Sequence, residues 1–186
     1  MQVLEIKQIT IPYDKELLLK WKKRDPSIVP SFMLAWKGPS ISNGYGFGEW
    51  MTDRYFRDKG FYTITNEFNL LSKTSKFKRY NDIISLMANR QKLQEFKDAV
   101  RLLEETDFSI ENLDMFVYNL ETFFFVEVKK EKDVLREPQM RFMYLANSIL
   151  EIDTKLIYLS DSDEMESQKM IKVELELPKD LEKINR

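Results

Sequence analysis

The chain contains no cysteine and no histidine. Without cysteine there can be no disulfide, no thiolate zinc site and no thiol nucleophile. Without histidine, Ser-His-Asp hydrolysis, imidazole general-base chemistry and two-histidine metal motifs are excluded. Any catalysis must therefore rest on carboxylates, lysines, hydroxyls and bound metal, and a carboxylate site selects a hard cation such as magnesium or manganese. Long apolar runs are also missing. The longest lies around Phe123 to Val126, far short of the ~20 residues of a membrane-spanning helix. The N-terminus, Met1-Gln2-Val3-Leu4-Glu5, lacks the basic and apolar regions of a signal peptide. The expected location is the cytoplasm, with no membrane partner. Glycine is scarce, and three of the five fall in Gly44-Tyr45-Gly46-Phe47-Gly48. That stretch lacks the Gly-Lys-Ser/Thr of a phosphate-binding loop and the spacing of a dinucleotide fingerprint.

What is present is the composition of a packed domain. Hydrophobic residues make up 43% of the 186 and charged residues 32%, so a core can form and wholesale disorder is excluded. The net charge is −2, which does not mark a nucleic-acid binder, but the charge is unevenly spread. From Leu71 to Arg101 eight basic residues stand against three acids, whereas Asp161 to Glu166 carries four acids and no base. Lys73, Lys76, Lys78 and Arg79 are the candidates for holding a phosphate backbone; the alternative is a set of solvated faces.

Along the chain, Asp14 to Lys23 reads as a helix ending before Asp25-Pro26. Pro26, Pro30 and Pro39 then punctuate a loop-like stretch. A second helix runs from about Gly48 to Lys59, with Gly60 as its stop. Phe61 to Thr65 is aromatic and β-branched, hence a strand. A basic loop follows, then a helical segment from Tyr80 to Glu105 with a broken period. Leu113 to Asn119 and Thr122 to Lys129 read as a β-hairpin. Glu137-Pro138 opens another helix, and short strands follow at Leu156 to Leu159 and Ile171 to Leu177. The expected fold is α/β, a mixed sheet flanked by helices. Residues 1–40 are expected as an N-terminal extension. Residues 41–186 are expected to form one domain, with a helical insertion at about 72–110 that projects from one edge. Trp36, Trp50 and Phe123 to Phe125 are expected in the core. Tyr45 and Phe47 read as a hydrophobic lead-in to the helix, or as surfaces for base stacking.

The hairpin carries the chemistry. A turn centred on Leu120-Glu121 sets Asn119 opposite Thr122, Phe116 opposite Phe125 and Asp114 opposite Glu127. Opposed residues of an antiparallel pair project to the same face with Cβ atoms about 5 Å apart. Lys129, two residues beyond Glu127, joins that face. Two carboxylates and an ammonium thus meet at the open end of an apolar hairpin. Opposed like charges destabilise a sheet, and a divalent cation that takes both as ligands removes the conflict. The lysine can orient a metal-bound water or stabilise charge on a phosphate. Leu-Glu is not a favoured two-residue turn, so the register hangs on the turn geometry. The plainer reading is that Glu127 and Lys129 solvate a strand end.

Asp114, then Phe124-Phe125-Val126-Glu127-Val128-Lys129, then Asp133-Val134-Leu135 and Gln139 resembles the VRR-NUC branch of the PD-(D/E)XK nucleases. That branch has an aspartate on one strand, Glu-Val-Lys on the next, an Asp-x-Leu, and a glutamine opening a helix. The resemblance covers Leu113 to about Leu145, and Gly48 to Thr65 more loosely. It implies a restriction-endonuclease-like fold, with Asp114, Glu127 and the backbone carbonyl of Val128 as ligands to Mg2+ or Mn2+. It implies Lys129 as the catalytic lysine, Gln139 beside the site, and Glu49 supporting it from the first helix. Leu113 stands where the family often has proline, and Lys130-Glu131-Lys132 replaces a glycine-containing turn. The implied activity is hydrolysis of DNA phosphodiesters, at junctions or flaps in replication or repair, with DNA as partner and a homodimer as a possible assembly. The alternatives are a catalytically inactive nucleic-acid-binding module on the same fold, or a structural or interaction protein.

Overall fold

The computed structural model describes residues 1–35, 41–130, 133–161, 165–179 and 181. Trp36 lies outside them, as do Glu131 and Lys132. Six strands form one mixed sheet: β1 (Gln2–Pro12), β2 (Tyr62–Thr65), β3 (Met115–Tyr118), β4 (Phe123–Lys130), β5 (Thr154–Ser160) and β6 (Ser167–Leu175). Their order across the sheet is β2-β3-β4-β5-β1-β6. Strands β4 and β5, and β5 and β1, are parallel; the other neighbours are antiparallel.

The sheet is covered on both faces, and each covering layer follows from side-chain alternation. One face presents Ile6, Ile64, Phe116, Phe125 and Leu156 to α4 (Lys78–Met87), α5 (Arg90–Glu105) and α6 (Glu137–Leu145). The other presents Ile9, Val117, Phe124, Val126 and Ile157 to α1 (Lys15–Lys22), α2 (Ser31–Leu34) and α3 (Phe47–Asp58). The mixed α/β character is as expected. No helix among the described residues is long and apolar enough to cross a membrane.

Two expectations about the fold need correction. Residues 2–12 are not part of an extension, because β1 sits inside the sheet with partners on both sides. The helical segment at about 72–110 does not project from an edge. Helix α5 buries Leu93, Phe96, Ala99, Val100 and Leu103, and the Phe96 ring meets Phe142 of α6 edge-on at 5.5 Å. A helix with that many apolar side chains on one stripe must cover a core.

The hairpin adopts the expected register, with Phe116 opposite Phe125. Its unfavoured turn is held by Asn119. The Asn119 Oδ1 accepts the backbone N–H groups of Glu121 and Thr122 at 2.9 and 2.8 Å, and leaves Leu120 fully exposed. An asparagine side chain thus supplies the turn that Leu-Glu cannot.

Two helix starts position the site. Gly46 caps α3 in the left-handed conformation, φ 76°, which glycine adopts without steric cost. Gly48 then lies so close to β4 that a Cβ there would stand 3.0 Å from Val128 Cγ1. That close approach brings Glu49 to the end of the sheet. Helix α6 begins with Pro138 in its first turn, and Gln139 Oε1 accepts the Arg136 N–H at 3.1 Å, satisfying one donor that a helix start leaves unpaired.

Candidate active site

The end of the hairpin, the start of α3 and the start of α6 converge on one cavity of about 260 Å³. Glu49, Asp114, Glu127, Val128, Lys129 and Gln139 all line it. Every residue singled out from the sequence for the catalytic centre therefore borders the same space.

Glu127 is the most enclosed of them, 1% exposed. Its Oε1 accepts from Lys129 Nζ at 2.7 Å and from Gln139 Nε2 at 2.5 Å. Its Oε2 is buried with no hydrogen-bond partner. Asp114 sits one residue before β3, in line with the hairpin register. Its Oδ2 accepts the Val128 N–H at 2.9 Å, and its backbone carbonyl accepts the Asn66 N–H at 3.4 Å. Gln139 has two tasks: its carbonyl oxygen closes the first turn of α6 while its amide nitrogen grips Glu127.

The Val128 carbonyl faces the cavity side by simple alternation. In a strand, the N–H and C=O of one residue point to the same neighbour, and successive residues alternate. The Phe125 N–H goes to Asp153, ahead of β5, and the Val128 N–H goes to Asp114. The Val128 carbonyl therefore points toward the β3 side, beyond that strand's last ladder pair.

Both carboxyls titrate above the usual carboxylate range. For Asp114 the cause is burial first and the charge of Glu49 second, opposed by the Val128 N–H, by Lys129 and by a side-chain hydrogen bond with Glu127 that a shared proton would make. For Glu127 it is burial and then the charge of Asp114, opposed by Lys129 and more weakly by Arg136. Burial also raises the Tyr45 phenol, with Glu49 and Asp114 adding to it, which places the ring against the same acidic cluster. With Lys129 and Gln139 on one Glu127 oxygen, the other has two ways to be satisfied. It can carry a proton toward Asp114, or it can coordinate a cation.

The donor set fits a hard cation. Two carboxylates, a facing main-chain oxygen and an orphaned buried carboxylate oxygen are oxygen ligands of the kind magnesium and manganese take. Among the described residues no group of three or more acidic side chains forms a metal cage. A cation here would complete its shell with water, as Mg2+ commonly does.

The four candidate phosphate-binding residues are not brought together. Lys76 lines a groove beside the cavity, while Lys73 lines a separate depression with Lys97 and Arg101. Lys78 pairs with Asp82 at 2.5 Å, and Arg79 stacks on Tyr80. Phe47 is fully buried, so it is core and not a stacking surface. Sequence reasoning missed two wall residues. Arg136, paired with Glu111 at 2.6 Å, lies three residues before Gln139. Lys130 donates to the Gly44 carbonyl at 3.3 Å and ties the glycine stretch to the site. Its position next to Lys129 was the only signal, and in a strand that neighbour points to the opposite face.

No protein-family model matches the chain, and no curated protein or solved structure is significantly similar to it.

Proposed function

We propose that the chain is a metal-dependent nuclease of the PD-(D/E)XK type, with a restriction-endonuclease-like core, acting on DNA phosphodiesters. The observation that carries the reading is the buried, unpartnered Oε2 of Glu127, facing Asp114 in a cavity also lined by Lys129. A structural ion pair would satisfy both carboxylates; this pair leaves an oxygen poised for a ligand.

Asp114, Glu127 and the Val128 carbonyl would hold Mg2+ or Mn2+. When bound, the ion supplies a Lewis acid and lowers the pKa of coordinated water. Gln139 fixes the Glu127 carboxylate, and the Val128 N–H fixes that of Asp114. The ammonium of Lys129 stays beside Glu127, where it can orient the attacking water and offset charge building on the phosphate. Glu49 adds negative charge near Asp114, which favours cation entry.

The test separates ligand from catalyst. Manganese should raise the melting temperature of the wild type and of Lys129→Met, and raise that of Asp114→Asn much less, by linkage. Cleavage of plasmid and branched DNA should be lost in Asp114→Asn and should fall roughly 100-fold or more in Lys129→Met, the scale of removing one charge-stabilising donor. Equal manganese response in all three proteins rejects the metal site and the nuclease reading with it. A metal response without cleavage of any DNA by the wild type leaves a binding module.

A further inference from the structure

The face of the sheet opposite Glu127 carries two lysines side by side. Lys155 is the partner of Val126 across the parallel β4–β5 pair, and of Lys7 across the parallel β5–β1 pair. Aligned residues of neighbouring strands share a face, so Lys7, Lys155 and Val126 project together. Glu127, the next residue along β4, projects the other way. None of these three residues, nor Phe124, lines the carboxylate cavity.

The Lys155 ammonium stands 3.3 Å from the centroid of the Phe124 ring. That ring is 2% exposed and meets Phe56 and Phe61 edge-on, at 5.4 and 5.6 Å. A cation over an aromatic face is attracted by the ring quadrupole, which holds the side chain in one place. The rest of its surroundings disfavours charge. Lys155 is half-buried, and its strand neighbour Lys7 carries the same sign. Among the described residues neither ammonium has a carboxylate within ion-pair distance. Burial first and Lys7 second hold Lys155 below the ordinary lysine range, opposed by Asp153 just ahead of β5. A lysine desolvated beside a second cation is a setting in which an amine becomes nucleophilic.

We propose that Lys155 is a site of acylation by small acyl phosphates, with Lys7 drawing in the phosphate. The neutral Nζ attacks the acyl carbon. The C–N bond forms as the C–O bond to phosphate breaks, and the electron pair leaves with the phosphate. The proton lost from nitrogen passes to the departing phosphate or to water. The products are an amide at Lys155 and inorganic phosphate, and atoms and charge balance with no further reactant. An acyl phosphate is an anion, complementary to two adjacent ammoniums. A neutral acyl thioester has no phosphate for Lys7 to draw in. The site uses none of the carboxylates, so it is independent of the nuclease reading.

The test incubates the full chain with acetyl phosphate at neutral pH and follows each lysine by peptide mass spectrometry. Lys155 should be acetylated several-fold faster than Lys73 and Lys97, which are exposed. In urea concentrated enough to unfold the chain, the preference should vanish, because the folded surroundings create it. Lys7→Gln removes the second cation at an exposed position and leaves the core intact; a melting curve verifies that it folds. Lys155 should slow in that variant while Lys73 and Lys97 keep their rates. A parallel series with a neutral acetyl thioester separates the two acyl sources, and there the preference for Lys155 should shrink. Four results each overturn the proposal: Lys155 no faster than Lys73 and Lys97 in the folded chain, a preference that survives urea, a Lys155 rate unchanged in Lys7→Gln, or an equal preference with the thioester.

Discussion

Glu127 shows how one buried side chain can hold a site ready. Its two oxygens have different fates: one accepts two donors, and the other accepts none. Without metal, the Asp114–Glu127 pair is relieved by a proton, and its folded titration lies above the ordinary carboxylate range. The sign of the pH dependence follows. Unfolded carboxylates have lost their protons by about pH 5, while the folded pair still holds one. The folded state then binds more protons than the unfolded state, so stability falls as pH rises through the raised titration. In metal-free buffer the melting temperature should drop over that window. Glu127→Gln keeps an oxygen for Lys129 and Gln139 and gives Asp114 a permanent N–H donor, so the drop should flatten. Above the window the variant should melt about 2–4 °C higher, which corresponds to about 1 kcal/mol in a domain of this size. Thermal unfolding in chelator across pH checks this. Glu127→Ala is a poorer probe, because it leaves Lys129, 8% exposed, without its counterion.

The elements divide into those a local pattern betrays and those it hides. The hairpin was legible because both of its strands are apolar and its register follows from counting. Helices α1, α3 and α6 were legible from caps and punctuation: Asp14, Gly60 and Pro138 each mark a boundary. Strand β1 was hidden by a change of phase. Leu4 and Ile6 face one layer, but Ile9 and Ile11 face the other, so no single alternation runs through its eleven residues. The groove beside the site was hidden for another reason. Its lining comes from α2, α3, β2 and the loops that follow them, and no sequence spacing reports such a meeting. Nor was the packing of α5 legible, since an amphipathic stripe says that a helix is covered and not by what. Its test is energetic. Phe96 is fully buried against Phe142, so Phe96→Ala should cost roughly 3–5 kcal/mol by cavity formation, read by denaturant titration. A projecting insertion would lose almost nothing.

At the scale of the whole molecule, the basic side chains beside the site are Lys129, Lys130 and Arg136 of the cavity wall, and not those of the basic segment. Of the four lysines and arginines singled out in the basic segment, only Lys76 borders the groove. Lys76→Ala should reduce the salt slope of single-strand binding by about 0.7, one phosphate contact. Lys78→Ala should leave it unchanged, because that ammonium is engaged with Asp82. Binding titrations across salt concentrations distinguish the two. The sheet order carries one further consequence, for the nascent chain. Synthesis delivers β1 first, yet its partners β5 and β6 come from the last third of the chain. Strands β2 to β4 and the carboxylates at their end can pair while β1 still waits on the ribosome with both edges open. Alternating charges along it, Glu5 and Lys7, are the kind that discourage pairing with a stranger in that interval. Closure of the sheet is thus a late, long-range event, and the carboxylate-bearing end of the hairpin can be assembled before β1 has a neighbour.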